Sequence, residues 1–201
     1  MPFDTVDDIK SAIARVEQDM SELVTRWDED FDLLTLVEYD AKKGYESYTS
    51  PAPKNYFKKI LDGLNRAAVT IQIKLPEDTS ESDRLNASTG ELFLHGGLNA
   101  ADRRLIKSDK PTLRRSMGFN MCLRGWFAVR ALVYVPKGRD ETVFDIMPWD
   151  PMHVTWEHGS EGLLWAAHKR MVTKAQALAE YGVESTEADI EVIDFWDVDN
   201  N

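Results

Sequence analysis

The densest group of side chains able to do chemistry is His153, Glu157, His158 and Glu161. Two imidazoles and a carboxylate are the donor set of a zinc or non-haem iron site, which would activate water for hydrolysis. On an extended strand His153 and Glu157 share a face, because side chains alternate and the two are four positions apart. A turn then has to bring His158 near them. The spacing matches no helical HExxH pattern, and His158 and Glu161 read equally well as turn residues. A metal-dependent hydrolase using His153, Glu157 and His158 is the alternative these residues leave open.

Other reactive groups are sparse. Cys122 sits between Met121 and Leu123 on a helical stretch, where a cysteine packs as a small apolar residue and lacks the base a nucleophile needs. The sequence has no GxSxG elbow, no GxxxxGK[ST] phosphate loop and no GxGxxG fingerprint. Nothing in the spacing of the 35 acids singles out a catalytic pair. Trp126, Trp149, Trp156, Trp165 and Trp196 crowd the C-terminal half. Nucleic-acid stacking platforms set aromatics beside basic residues. These tryptophans instead neighbour Asp150, Glu157, Asp194 and Asp197, so core packing or subunit contact is the better account. The leading reading therefore assigns no catalytic, cofactor-binding or metal-ligating residue and expects a protein that is not an enzyme.

The elements that carry these residues follow from periodicity. Thr5 and Asp8 form a capping-box start, and apolar residues from Val6 to Trp27 recur every three or four positions, predicting one long amphipathic helix. A second helix is expected over Asp30–Asp40, a loop over Lys42–Pro53, and a third helix over Lys54–Leu64 with Tyr56 or Phe57, Ile60, Leu61 and Leu64 inward. Val69–Leu75 alternates apolar and polar residues as a half-buried strand does. A helix from Ser82 or Asp83 to Leu94 is expected to stop at His95-Gly96-Gly97, with a short helix from Asn99 to Lys107 after it. Another helix starts near Asp109 and Pro111 and runs to Gly125.

From Trp126 the pattern turns to strands: Trp126–Val135, Thr142–Met147, His153–Glu157 and Leu163–Val172, joined by a turn at Lys137-Gly138, a Pro148–Pro151 break and a Gly-rich turn. Thr173 and Gln176 make a capping box for a helix ending at Tyr181-Gly182, and Asp189–Val198 is a last strand. The expected class is α+β, with N-terminal helices (1–125) followed by an antiparallel β meander (126–201).

Composition fits a globular chain: 43% hydrophobic and 29% charged residues exclude disorder. A chain of 201 residues buries roughly 70% of its unfolded surface and needs no staples. One cysteine allows no internal disulfide and points to a reducing compartment. No apolar run reaches the ~20 residues that span a bilayer, and MPFDTVDDIK lacks a basic, apolar leader, so no membrane partner is expected and synthesis in a cytoplasm is.

The net charge of −11 is unevenly spread. Residues 1–40 hold three basic and twelve acidic side chains, a net of −9. Residues 139–201 hold four and fourteen, a net of −10. Between them lie Arg103, Arg104, Lys107, Lys110, Arg114, Arg115, Arg124 and Arg130, with only Asp109 against them. Such a belt suits contact with another copy's acidic flank, a solvated helix face, or an acidic partner of a generic interaction domain.

The order of elements resembles the portal (head–tail connector) proteins of tailed bacteriophages. The likeness runs from an acidic helix ending in LVEYDAKKGY, through the helix KNYFKKILDGL and the strand VTIQIKL, to Arg124-Gly125-Trp126 and paired strands. It is clearest at Ile146-Met147-Pro148-Trp149-Asp150-Pro151-Met152-His153-Val154, similar to the strand–Asp-Pro–strand element of portal wings. Gly162-Leu163-Leu164-Trp165, the Thr173–Gly182 helix and the strand ending IDFWDV extend it over about four-fifths of the chain. No single motif is specific; the weight lies in order and spacing.

The resemblance implies a wing-like fold and a structural role in the virion. Portals are rings, typically homododecamers, at one capsid vertex, assembled in the host bacterial cytoplasm. They contact capsid protein, terminase and a head–tail adaptor, and double-stranded DNA passes through them during packaging and ejection. The long stem helices, clip and crown of the family come later in such chains, so these residues are expected to be an N-terminal wing portion that stops before stem and clip. An acidic chain suits a conduit that must not hold phosphate.

Overall fold

The computed structural model describes residues 3, 5–38, 48–67, 70–136, 138 and 140–198. Residues 42–47 of the expected loop, Val69 of the expected strand and Lys137 of the expected turn lie outside them. The fold is α+β, with helices first and antiparallel strands after. The elements are α1 (Val6–Asp19), α2 (Ser21–Thr35), α3 (Ala52–Arg66), α4 (Glu81–Lys107), α5 (Leu113–Arg124), β1 (Ala128–Tyr134), β2 (Val143–Trp149), a 3-10 turn (Pro151–His153), β3 (Val154–Gly159), β4 (Gly162–Thr173), α6 (Lys174–Tyr181) and β5 (Asp189–Asp197).

The chain forms two compact units, residues 1–31 with 149–201, and residues 32–148. These cut across the order of elements, since the first helix shares a unit with the last three strands.

In the first unit, β3, β4 and β5 form an antiparallel sheet in that order. Side chains alternate along β4, so Trp165, Ala167 and Lys169 face one side and His168, Arg170 and Val172 the other. α1 covers the first side. Ile13 is buried with Trp165 and Ala167, and Phe3, Ile9, Val16, Ile193 and Phe195 close around them. The Thr5–Asp8 capping box is present. The single long helix expected to Trp27 is divided at Met20, where the Ser21 hydroxyl donates to the Gln18 carbonyl at 2.8 Å, a side-chain bond that competes with the helical ladder. The second helix accordingly starts at Ser21 rather than Asp30 and ends before Leu36, which has φ 62°.

The other side of the sheet meets α6 and Trp149. α6 carries the expected Thr173–Gln176 capping box and ends on Gly182 at φ 68°. β5 pairs with β4 along its whole length, so this last strand already has one neighbour.

In the second unit α3 packs against α5, with Phe57 and Phe119 edge to face at 5.4 Å. Arg114 donates to the carbonyls of Leu64 and Ala67, closing the end of α3. α5 begins at Leu113, later than expected, because Thr112 caps it and Asp102 accepts from the Leu113 N–H at 2.7 Å.

Three expectations are corrected in this part. The helix stop at His95-Gly96-Gly97 does not occur, and α4 runs through it. Gly97 is there for space: a Cβ would lie 2.3 Å from the Phe144 ring of β2. The strand over Val69–Leu75 is not in any sheet among the described residues. Residues 70–76 run beside α4 instead, with the Ile73 N–H donating to Glu91 Oε1 at 2.7 Å. Finally, the meander is two sheets, β1–β2 and β3–β4–β5. β2 continues through Pro148 to Trp149, past the expected break. Asp150 Oδ1 then accepts from the Met152 N–H at 3.0 Å and starts the 3-10 turn, which parts β3 from β2.

Candidate functional site

Glu157 lies on β3 opposite Trp165 of β4, on the α1 side of the sheet. Its Oε2 accepts from Trp165 Nε1 at 2.9 Å and from Arg15 Nη2 at 2.8 Å. The carboxylate thus satisfies the one polar atom of a buried indole and ties α1 to the sheet. Glu157 and Glu161 both line a cleft of about 760 Å³ with Phe3, Arg15 and Trp165. Arg15 offsets the Glu157 charge at the wall of that cleft.

His153 is elsewhere. It belongs to the 3-10 turn before β3, exposed, and its charge acts on His168, whose side chain is on the opposite face of the sheet from Trp165. His158 follows a bulge between Glu157 and His158 that breaks the strand register. The expectation that His153 and Glu157 share a strand face is therefore overturned. Among the described residues no three His, Cys, Asp or Glu side chains are grouped as metal ligands.

The other face of the sheet carries a polar network that the sequence did not suggest. His168 is buried and stacks on Trp149, with centroids 4.6 Å apart and planes at 12°. Burial lowers its pKa to about 4; Asp194, directly across on β5, pulls upward, and His153 and Arg170 push downward again. Its Nδ1 is buried without a hydrogen-bond partner. A neutral imidazole is what such a position tolerates. Two positions along, Arg170 donates to Glu180 Oε2 at 2.8 Å and to the Tyr181 hydroxyl, and lies 3.8 Å from Asp194. Burial alone would lower the Arg170 pKa, but the bonds to Tyr181 and Glu180 outweigh it and raise it. The network fixes α6 on the sheet.

Cys122 is half-buried in α5, and burial raises its thiol pKa, the opposite of nucleophile activation. Trp149 and Trp165 are core residues on opposite faces of one sheet.

The basic belt is partly absorbed by its own unit. Arg130 Nη2 binds Asp145 Oδ2 at 2.8 Å, Arg104 lies 3.5 Å from Asp145 Oδ1, and Arg114 caps α3. Arg103, Lys107, Lys110 and Arg115 are exposed and make no ion pair with the described residues. α3 has no buried residue despite its amphipathic sequence: Tyr56 is 68% exposed, and Ile60 and Leu64 are exposed too. On α4, Leu85 is 69% and Leu92 72% exposed. Of the residues expected inward on α3, Phe57 and Leu61 are half-buried against α5, whereas Tyr56, Ile60 and Leu64 are exposed.

Neither a protein-family model nor a curated protein sequence matches the chain.

Proposed function

We propose that this chain is a structural, non-enzymatic subunit of a portal-type ring, contributing wing elements to a conduit for double-stranded DNA at a virion vertex. One observation carries the reading: helices are followed by a strand pair, an Asp-Pro turn and a three-stranded antiparallel sheet with a capped helix between its last two strands, the order of the resemblance except at VTIQIKL, whose described residues join no sheet. Support also comes from the surface. Exposed apolar residues on α3 and α4, and basic groups without an ion pair among the described residues, suit repeated contacts between copies, and a net charge of −11 suits passage of DNA without retention. The hydrolase alternative loses its main support, because Glu157 is engaged by Trp165 and Arg15 and is parted from His153.

Native mass spectrometry of the purified chain tests the reading. A closed oligomer of fixed copy number is expected. A chain that stays monomeric over a wide range of concentration overturns it.

A further inference from the structure

Residues 70–76 (TIQIKLP) hold a β-prone alternating pattern that has no strand partner among the described residues. In an extended chain the N–H and C=O of one residue point to one edge, and those of the next residue to the other. The Ile73 N–H is turned to Glu91 of α4. The backbone groups of Gln72 and Lys74 make no hydrogen bond with the described residues, and in an extended conformation they would lie at the edge opposite the Ile73 N–H. The segment is held through Ile73 and leaves the backbone groups of Gln72 and Lys74 without a partner among the described residues.

We propose that the edge of Gln72 and Lys74 receives β5 of a second copy of the chain, adding residues 70–76 as a fourth strand beside that copy's β3–β4–β5 sheet. The sheet order ends on β5, whose outer edge has no strand among the described residues. The charges choose the partner. β5 carries Asp189, Glu191, Asp194 and Asp197 and no base, whereas residues 70–76 carry Lys74 and no acid. Pairing β5 with another β5 would set acids against acids, which is unfavourable across strands. Pairing it with residues 70–76 removes that repulsion and satisfies the free backbone groups. The contact is heterologous, since one copy gives residues 70–76 and the next gives β5, and such contacts close into rings when the rotation permits. The inference rests on the ring reading above and names the contact within it.

Proline supplies the test, because it deletes an N–H that the isolated chain does not use. Gln72→Pro should keep the circular dichroism and thermal midpoint of the parent chain and weaken its self-association about tenfold or more. Lys74→Glu leaves the backbone intact and should weaken association in the same direction. In a Cys122→Ser background, copies carrying only Gln72→Cys mixed with copies carrying only Glu191→Cys should be joined by a short thiol cross-linker. Rings that form unchanged with Gln72→Pro and Lys74→Glu overturn the strand contact and leave the ring reading standing. Cross-linking confined to single chains bearing both cysteines overturns it in favour of a contact within one copy. A wild-type chain that never associates overturns both readings.

Discussion

His168 lies flat on Trp149, with 4.6 Å between ring centroids and 12° between planes. The indole covers one face of the imidazole, and the ring is buried from water. Its pKa falls to about 4, against an ordinary value of 6.5. The stacking pair thus turns a surface-prone residue into a piece of neutral core, and it links the end of β2 to the middle of β4.

A pH dependence follows from that pair. Above pH 6.5 the imidazole is neutral whether folded or unfolded, and it adds no slope. Between pH 6.5 and about 4 the unfolded chain binds a proton that the folded chain refuses, so stability falls as pH falls. The loss reaches at most about 3 kcal/mol by pH 4. Urea unfolding from pH 7.5 to 4.5 should show this slope in the wild type and a smaller one in His168→Gln.

Adjacent glycines in α4 should respond in opposite directions. Gly96→Ala meets nothing within 4 Å and should stabilise the helix by up to about 1 kcal/mol. Gly97→Ala drives its methyl into the Phe144 ring and should destabilise by about 1–3 kcal/mol, with partial recovery in Gly97→Ala/Phe144→Leu. Thermal unfolding of the three variants checks both signs; a stabilised Gly97→Ala would contradict the packing.

The Glu157 carboxylate should matter through Trp165 more than through Arg15. Arg15 is 61% exposed, and its ion pair should contribute less than about 1 kcal/mol. Trp165 is 2% exposed, and Glu157→Ala leaves its N–H without an acceptor at a cost of about 1–3 kcal/mol. Glu157→Gln keeps an acceptor and should recover most of that. A double-mutant cycle on Arg15→Met and Glu157→Ala separates the two contributions.

Asp145 is shared between two arginines of different exposure, Arg130 at 19% and Arg104 at 51%. Removing the carboxylate strands a largely buried guanidinium, and Asp145→Ala should cost about 3 kcal/mol. Arg104→Ala should cost less than about 1 kcal/mol. Chemical denaturation at low and high salt distinguishes them, since only the Arg104 contribution should be screened away.

Much of the fold was legible along the chain because its signals are local. The capping boxes at Thr5–Asp8 and Thr173–Gln176, the glycine stops at Gly125 and Gly182, and the alternation of Asp189–Val198 each depend on residues within a few positions of one another. What only the tertiary structure decided depends on residues far apart. Gly97 reads as a helix terminator until Phe144 fills the space beside it, 47 positions later. The alternation of residues 70–76 promises a strand, but a strand exists only with a neighbour, and the chain provides Glu91 instead. His153, Glu157 and His158 are close in sequence, yet His153 belongs to a 3-10 turn before the strand and a bulge parts His158 from Glu157. Periodicity and capping are set by the backbone's own repeat, so the sequence alone determined the locally signalled helices and strands. Which faces are covered, and by what, depends on packing across the chain, and only the folded structure determined that.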